Sequence, residues 1–159
     1  MENQTREKLP LNEAVTHLLE ECRMVLPGIQ ALFGFQLIAV FNSSFGEKLT
    51  STEQRVHLGA IGLVAIAVAL VMAPAAYHRQ TCPQEVTKGF LTIATQLLLW
   101  SMFPLMVGIC LDFYLIARLI LNNQLLSLVL SLSLLLMFST LWFFLPRLKI
   151  LRRILSGQS

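Results

Sequence analysis

The stretch "LGAIGLVAIAVALVMAPAAY", residues 58–77, decides the fold, because it runs for its whole length without a charged side chain. An α-helix rises about 1.5 Å per residue, so about 20 apolar residues cross the roughly 30 Å hydrocarbon core of a bilayer. We therefore predict that residues 58–77 form a membrane-spanning helix.

Three further apolar runs of similar length lie at residues 24–41, 90–111 and 125–145. The chain of 159 residues is 55% hydrophobic and 13% charged, whereas a soluble domain carries roughly 25% charged residues. Little sequence remains for a separate soluble domain. The sequence thus predicts an all-α fold, an integral membrane four-helix bundle that forms a single membrane domain over residues 1–159.

The segments before and after the first run have different predicted structures. Within residues 1–23, apolar side chains recur at helical spacing after Asn12, a residue type that caps helices. We predict an amphipathic helix there, which either lies at the membrane interface or leads straight into the first span. Pro27 either begins the membrane helix or kinks a continuous one. Residues 42–57 are polar and are predicted to form a loop.

The distribution of basic residues predicts the orientation in the membrane. Four spans place both termini and the middle connection on one side. That side contains Arg6, Lys8, Arg23, Arg79, Lys88, Arg147, Lys149, Arg152 and Arg153, and the other side contains Lys48, Arg55 and Arg118. This asymmetry predicts a multi-pass membrane protein with both termini in the cytoplasm.

The C-terminal residues 146–159 combine basic and apolar side chains after an aromatic group at residues 142–144. This composition is typical of an interfacial aromatic belt followed by a segment held against anionic lipid headgroups. We predict that this tail is cytoplasmic and binds lipid through Arg147, Lys149, Arg152 and Arg153.

Several classes of function lack support in the sequence. A nucleic-acid partner is not predicted, because no basic face is interleaved with aromatic residues. The chain shows no nucleophile with a neighbouring base and no glycine-rich phosphate loop, so we do not predict an enzyme. Neither a compact metal-ligand pattern nor a pair of histidines within the spans is visible, so no metal and no cofactor are predicted.

Two glutamines lie within the first apolar run. Gln30 shares one narrow helical stripe with Arg23, Pro27 and Gly34, whereas Gln36 points about 120° away from Gln30 at 100° per residue. An amide in hydrocarbon without a partner costs several kcal/mol, so each is expected to bond to another helix or to face water. The two amides therefore have different neighbours, and each either binds helices together or lines a pathway.

Small residues recur along one face of the second run, at Gly62, Ala65, Ala69 and Ala73. Small side chains let two membrane helices approach closely. We predict that this face packs either against another span of the same chain or against a neighbouring subunit.

Asp112 is the carboxylate associated with the third apolar run, and it shares a stripe with Ser101, Pro104 and Gly108. Apolar sequence continues beyond it to residue 121, so the helix either tilts or leaves the membrane near Asp112. A submerged Asp112 would be a proton or cation site. The alternative is an interfacial Asp112 that pairs with Arg118.

Two stretches of the chain resemble a known sequence pattern. They are "ECRMVLPGIQALFGFQL" at residues 21–37 and "APAAYHR" at residues 73–79, with "QRVHLG" at 54–59 between them. The shared positions are Glu21, Arg23, Gly28, Gln30, Leu32, Phe33, Ala73, Pro74, Tyr77, His78 and Arg79. The pattern resembles an uncharacterised family of small bacterial four-span membrane proteins with a domain of unknown function, some of whose members carry the label sodium:proton antiporter. The resemblance is tightest over residues 18–80 and implies the fold and a location in a bacterial inner membrane, but it transfers no catalytic or transport residue.

The predicted topology brings the polar residues of these stretches to one membrane face. Arg23 and Gln30 enter the membrane where Tyr77, His78 and Arg79 leave it, so we predict one polar cluster that acts either as a gate or as a clamp on the first two spans. Ion or proton movement by a homo-oligomer is the leading functional hypothesis, with Gln36 and Asp112 as further pathway residues. The alternative is a non-transporting structural or accessory subunit of a membrane complex.

Overall fold

The computed structural model describes residues 10–81 and 87–147, apart from the side chains of Ser44 and Thr81. All secondary structure within these ranges is helical. The elements are α1 (Leu11–Val40), α2 (Ser43–Lys48), α3 (Ser51–Thr81), α4 (Lys88–Leu121) and α5 (Gln124–Ser139), followed by a π-helical turn (Thr140–Phe144) and a 3-10 turn (Leu145–Arg147). The predicted all-α four-helix architecture is confirmed.

The first helix is continuous from Leu11 to Val40, with Pro27 inside it. The residue before the helix is Pro10, and no side chain caps this end, so the prediction of an Asn12 cap is wrong. Its N-terminal part does not lie alone at an interface. Val15 and Cys22 are buried in a cluster with Phe90 and Ala94 of α4, because their apolar stripe lies directly over the neighbouring helices.

The predicted polar loop over residues 42–57 is mostly helical. It contains α2 and the first two turns of α3, which begins at Ser51. A reciprocal capping box fixes this start: Glu53 N–H donates to Thr50 Oγ1 at 3.3 Å, and Thr50 N–H donates to Glu53 Oε2 at 2.8 Å. The helix therefore begins before the apolar run and carries His57 into the bundle.

Helices α3 and α4 form the central pair, with α1 against α3 and α5 against α4. Helices α3 and α4 lie close together at Gly108 of α4, where an added Cβ would meet Val64 Cγ2 at 3.0 Å and the Ala60 carbonyl oxygen at 3.2 Å. The buried stripe of α3 consists of His57, Ala60, Val64, Ala67, Val71 and Pro74. Alternating three- and four-residue steps keep these side chains on one helix face.

The small-residue face predicted to pack helices is not this buried stripe. Gly62, Ala65 and Ala69 are exposed on the single chain, and Ala73 is half-buried. Of the two partners predicted for this face, a span of the same chain is contradicted, because Val64 and Val71 occupy the contact with α4 and turn the face outward, whereas a neighbouring subunit stays a prediction.

Helix α4 continues unbroken past Asp112 to Leu121, where Asn122 ends it in the left-handed conformation at φ 49°. Asn123 then caps α5 by accepting from Leu126 N–H. The buried residues of α5 are Ser127 and Ser131. The Ser131 hydroxyl donates to the Cys110 carbonyl oxygen of α4 at 2.7 Å and so bonds a neighbouring helix.

Four helical segments are long and apolar enough to cross a membrane: α1, α3, α4 and the segment Gln124–Arg147. These segments correspond to the four apolar runs predicted from the sequence, with Phe41 of the first run one residue beyond the end of α1, so the chain is a membrane protein with four spans. Of the predicted lipid-binding tail, Arg147 is exposed in the 3-10 turn, whereas Lys149, Arg152 and Arg153 lie outside the described residues.

Candidate functional site

Three polar side chains from three helices bond to one another at the end of the bundle where α1 finishes and α3 begins. His57 Nδ1 lies 2.9 Å from Asp112 Oδ1, and the amide of Gln36 donates to Asp112 Oδ2. The other ring nitrogen, His57 Nε2, lies 3.1 Å from the Gln36 carbonyl oxygen. Gln36 is 4% exposed and His57 is 7% exposed, so this cluster is shielded from its surroundings.

The helical registers place these groups together. His57 is the first member of the buried stripe of α3, and Asp112 continues the α4 stripe that buries Ser101 and Gly108. Gln36 lies on the buried side of α1, seven residues after Ile29. Each polar group therefore occupies a position that would hold an apolar core residue elsewhere in the same helix.

The hydrogen bonds of the imidazole fix how many protons it shares with Asp112. A carbonyl oxygen can only accept, so His57 Nε2 must carry a hydrogen for its contact with Gln36. One further proton must then lie between Nδ1 and Asp112 Oδ1, because two bare lone pairs would repel at 2.9 Å. The pair is therefore either imidazolium with carboxylate or imidazole with carboxylic acid. Both forms have the same net charge.

One hydrogen-bond acceptor of the cluster, the side-chain oxygen of Gln36, has no donor among the described residues. This atom, Gln36 Oε1, is buried. Its orientation is set because the other end of the amide donates to the Asp112 carboxyl group. A buried acceptor of this kind suits a water molecule or another proton donor entering the site.

A cavity of about 360 Å³ adjoins the cluster. Its polar lining includes Gln36, His57, Asp112 and Lys48. Apolar side chains form most of the remaining wall, among them Leu32, Phe35, Leu115 and Ile116. The arrangement combines an apolar chamber with a few converging polar groups, which is the usual composition of a binding site in proteins.

The prediction that Asp112 pairs with Arg118 is wrong. Arg118 Nε instead lies 3.4 Å from Glu53 Oε1 of α3. Arg118 follows Asp112 by six positions, which places the two side chains about 120° apart around the helix. Asp112 thus faces His57, while Arg118 joins α4 to the start of α3 by a separate ion pair.

His57 was missed as a site residue because it was assigned to a loop. Two signals in the sequence mark its true position. The Thr50–Glu53 spacing is that of a capping box, and His57 extends the spacing of Ala60 and Val64 by three residues. Together they indicate a histidine inside a helix and directed at the core.

The expected partner in another helix is confirmed for Gln36, which bonds to Asp112 of α4, whereas the choice between another helix and water stays a prediction for Gln30. Gln30 is exposed, as are Arg23 and Pro27. The buried stripe of α1 runs through Ile29 and Gln36, which turns Gln30 about 100° away from it.

At the opposite end of the bundle, the structure brings together part of the other predicted cluster. Arg23, His78 and Arg79 line one cavity of about 240 Å³, which Gln30 does not reach. The Tyr77 ring stacks on Phe90 with centroids 5.9 Å apart. Glu20, three residues before Arg23, lies 3.6 Å from His17 Nδ1.

Comparison with known proteins identifies a family but transfers no activity. No curated protein and no solved structure matches the chain. The sequence pattern of one family, described as a family of unknown function (DUF6328), matches residues 4–146. With most of its length matched and four helices able to cross a membrane, the chain belongs to the family of unknown function DUF6328.

Proposed function

We propose that this protein is a non-enzymatic membrane protein that binds and releases protons at the His57–Asp112 pair as part of ion or proton movement across the bilayer. The observation that carries the proposal is the 2.9 Å contact between His57 Nδ1 and Asp112 Oδ1, both largely buried, with His57 Nε2 fixed on the Gln36 carbonyl. Ionisable groups placed within membrane proteins commonly belong to proton or ion pathways.

Loss of the shared proton would change the force between helices α3 and α4. Without it, the carboxylate of Asp112 faces the bare lone pair of His57 Nδ1, and their attraction becomes repulsion. Since His57 belongs to α3 and Asp112 to α4, this repulsion acts across the central helix pair. Water that enters the adjoining cavity and bonds to Gln36 Oε1 completes a route between the pair and the solvent.

The charged surroundings of the pair limit where the released proton can go. Lys48 lines the same cavity, and Glu53 and Arg118 form an ion pair between α3 and α4. Proton exchange through the cavity therefore passes an ammonium group, whereas Glu53 is engaged by Arg118 and by the capping box. We assign the first proton acceptor outside the pair to a water molecule in the cavity that donates a hydrogen bond to Gln36 Oε1.

In this proposal both termini are cytoplasmic, the membrane is the bacterial inner membrane, and the His57–Asp112 pair lies at its outer face. The pathway is formed by a homo-oligomer. A single chain packs its middle with side chains such as Val64 and Ala67, which are fully buried, while Gln30 and the small-residue face of Gly62, Ala65 and Ala69 remain exposed. A second copy seated on these faces would cover the exposed amide.

The second candidate function is that of a non-transporting structural or accessory subunit. It is favoured by the near-complete hydrogen bonding of the cluster, since His57 and both Asp112 oxygens already have partners that join three helices. In that case the cluster is a clamp. A substitution that keeps the bonds and removes the shared proton distinguishes the two functions.

Asp112→Asn is such a substitution. The asparagine amide donates to His57 Nδ1 and its oxygen accepts from Gln36, so every hydrogen bond has a replacement. We expect proteoliposomes of the wild-type chain to dissipate a pH gradient, measured with an entrapped pH-sensitive dye, and Asp112→Asn and His57→Gln to lose most of that flux. His17→Gln is the matched control, because His17 is exposed.

The proton-binding proposal fails if folded Asp112→Asn conducts as the wild type does, or if the wild type conducts no better than empty vesicles. In the latter case a folded, unchanged Asp112→Asn protein supports the clamp. Native mass spectrometry in lipid discs tests the oligomer separately, and a clean monomer contradicts a pathway built between copies.

A further inference from the structure

The cavity at the other end of the bundle carries a concentration of positive charge. It lies between α1 and α3, and its polar lining consists of Arg23 from α1 with His78 and Arg79 from the end of α3. The remaining wall is formed by Leu19, Cys22, Leu26, Val71, Met72 and Ala75. It therefore offers two guanidinium groups beside an apolar surface.

The described residues do not neutralise these guanidinium groups. Within that part of the chain, no carboxylate lies at salt-bridge distance from Arg23 or Arg79. Glu20, one turn before Arg23, is directed to His17 on the exposed surface. A helix C-terminus attracts cations, which explains His78 and Arg79 in the last turn of α3. Arg23 lies within α1 and has no such explanation.

The position of the cavity defines the kind of anion it suits. Arg79 follows the apolar run of residues 58–77 by two residues, and Arg23 directly precedes the run of residues 24–41. Both guanidinium groups thus lie at the level of the lipid headgroups. The planar guanidinium presents paired donors that match a phosphate, and the apolar wall continues toward the hydrocarbon region.

We propose that this cavity binds an anionic phospholipid, with the lipid phosphate held between Arg23 and Arg79 and an acyl chain lying along the wall of Leu26 and Met72. The cavity volume of about 240 Å³ accommodates part of a headgroup, and the chain extends over the exposed surface beside Met72. This site is separate from the basic C-terminal tail and does not depend on proton binding at the opposite end.

The test uses the full chain, stripped of lipid in detergent and titrated with phosphatidylglycerol or phosphatidylcholine during native mass spectrometry. We expect preferential binding of phosphatidylglycerol. A basic residue at an anionic surface contributes about 1 kcal/mol, which is about a fivefold change in affinity. The double variant Arg23→Gln/Arg79→Gln should then bind phosphatidylglycerol roughly thirtyfold more weakly. Arg55→Gln, at the opposite end of α3, is the control and should bind normally.

A second variant guards against loss of folding. Arg23→Lys/Arg79→Lys keeps both charges and removes the paired donors, so we expect binding between that of the wild type and that of the glutamine variant. Unchanged phosphatidylglycerol affinity in the folded glutamine variant overturns the proposal. Equal binding of the two lipids also overturns it. Complete displacement of the lipid by millimolar inorganic phosphate assigns the cavity to a soluble phosphate instead and contradicts the lipid assignment.

Discussion

The two ends of the bundle treat their ionisable groups in opposite ways. At one end His57, Asp112 and Gln36 are shielded and bond to one another across three helices. At the other end Arg23 and Arg79 line an accessible cavity with no described carboxylate beside them. Buried groups must find partners within the protein, whereas interfacial groups can use lipid headgroups and water. The stability of the first end should therefore depend on each of its three side chains. The charged groups of the second end should depend instead on the lipid headgroups and water around them.

The largest difference between the ends should appear on replacing one charged group at each. Asp112→Leu leaves the His57 ring and the Gln36 amide buried without their partner, so we expect the free energy of unfolding to fall by about 3 kcal/mol. Arg79→Leu removes an exposed group and should change it by less than about 0.5 kcal/mol. Reversible unfolding in mixed micelles measures both changes in free energy. Equal changes for Asp112→Leu and Arg79→Leu would contradict the difference between the two ends.

A glycine substitution tests the contact between α3 and α4 that lies between the two ends. Gly108→Ala places a methyl group against Val64 and the Ala60 carbonyl, so it should destabilise the chain by about 1–3 kcal/mol. Gly59→Ala is the matched control on α3, where an added Cβ has no neighbour within 4 Å. If Gly59→Ala costs as much as Gly108→Ala, the helix pair does not pack as described.

The two glutamines of α1 offer a comparison within one helix. Gln36→Leu removes the amide that donates to Asp112 and should cost about 1–2 kcal/mol. Gln30→Leu changes an exposed amide and should leave the stability of the single chain within about 0.5 kcal/mol. Unfolding curves of the two variants in the same detergent give the two losses of stability for comparison. A larger loss for Gln30→Leu would place that side chain in a contact between subunits.

The smallest expected effect concerns α5. Ser131→Ala removes the hydrogen bond to the Cys110 carbonyl, and interhelical bonds of this type in membrane proteins contribute about 0.6 kcal/mol. Ser133 is exposed and bonds the Leu130 carbonyl of its own helix, so Ser133→Ala should be neutral. Measuring the two side by side shows how far the polar face of α5 fixes it on α4. No difference between them would contradict an interhelical role.

The spans were predictable from the sequence because each apolar run is about as long as the bilayer is thick, whatever its tertiary contacts. The stripe of Ser101, Pro104, Gly108 and Asp112 was also recognisable, since 3.6 residues per turn places these positions on one face of α4. Helix ends were less certain. Pro27 permits either a break or a continuous helix, and the structure has the continuous one, with buried residues of α1 on both sides of Pro27, from Val15 to Gln36.

Side-chain partners were harder to predict, because they depend on the rotation of one helix against another. Small residues on α3 suggested Gly62 and Ala65 as the contact, yet the actual contact combines Val64 with Gly108 on the partner helix. Likewise Asp112 had Arg118 nearby in sequence, but the rotation of α4 directs it to His57. Which side chains pair across two helices depends on how both helices are rotated toward each other. The sequence of each helix predicts its own polar and apolar faces, but not their relative rotation.

The most direct test of the account is the state of the His57 ring in lipid bilayers, observed by ¹⁵N solid-state NMR of histidine-labelled protein and assigned with His57→Gln. The account predicts that Nε2 carries a proton and that Nδ1 shares one with Asp112, so that Asp112→Asn shifts the Nδ1 resonance and leaves Nε2 protonated. A ring with Nε2 unprotonated, or an Nδ1 resonance indifferent to Asp112→Asn, would contradict the shared proton.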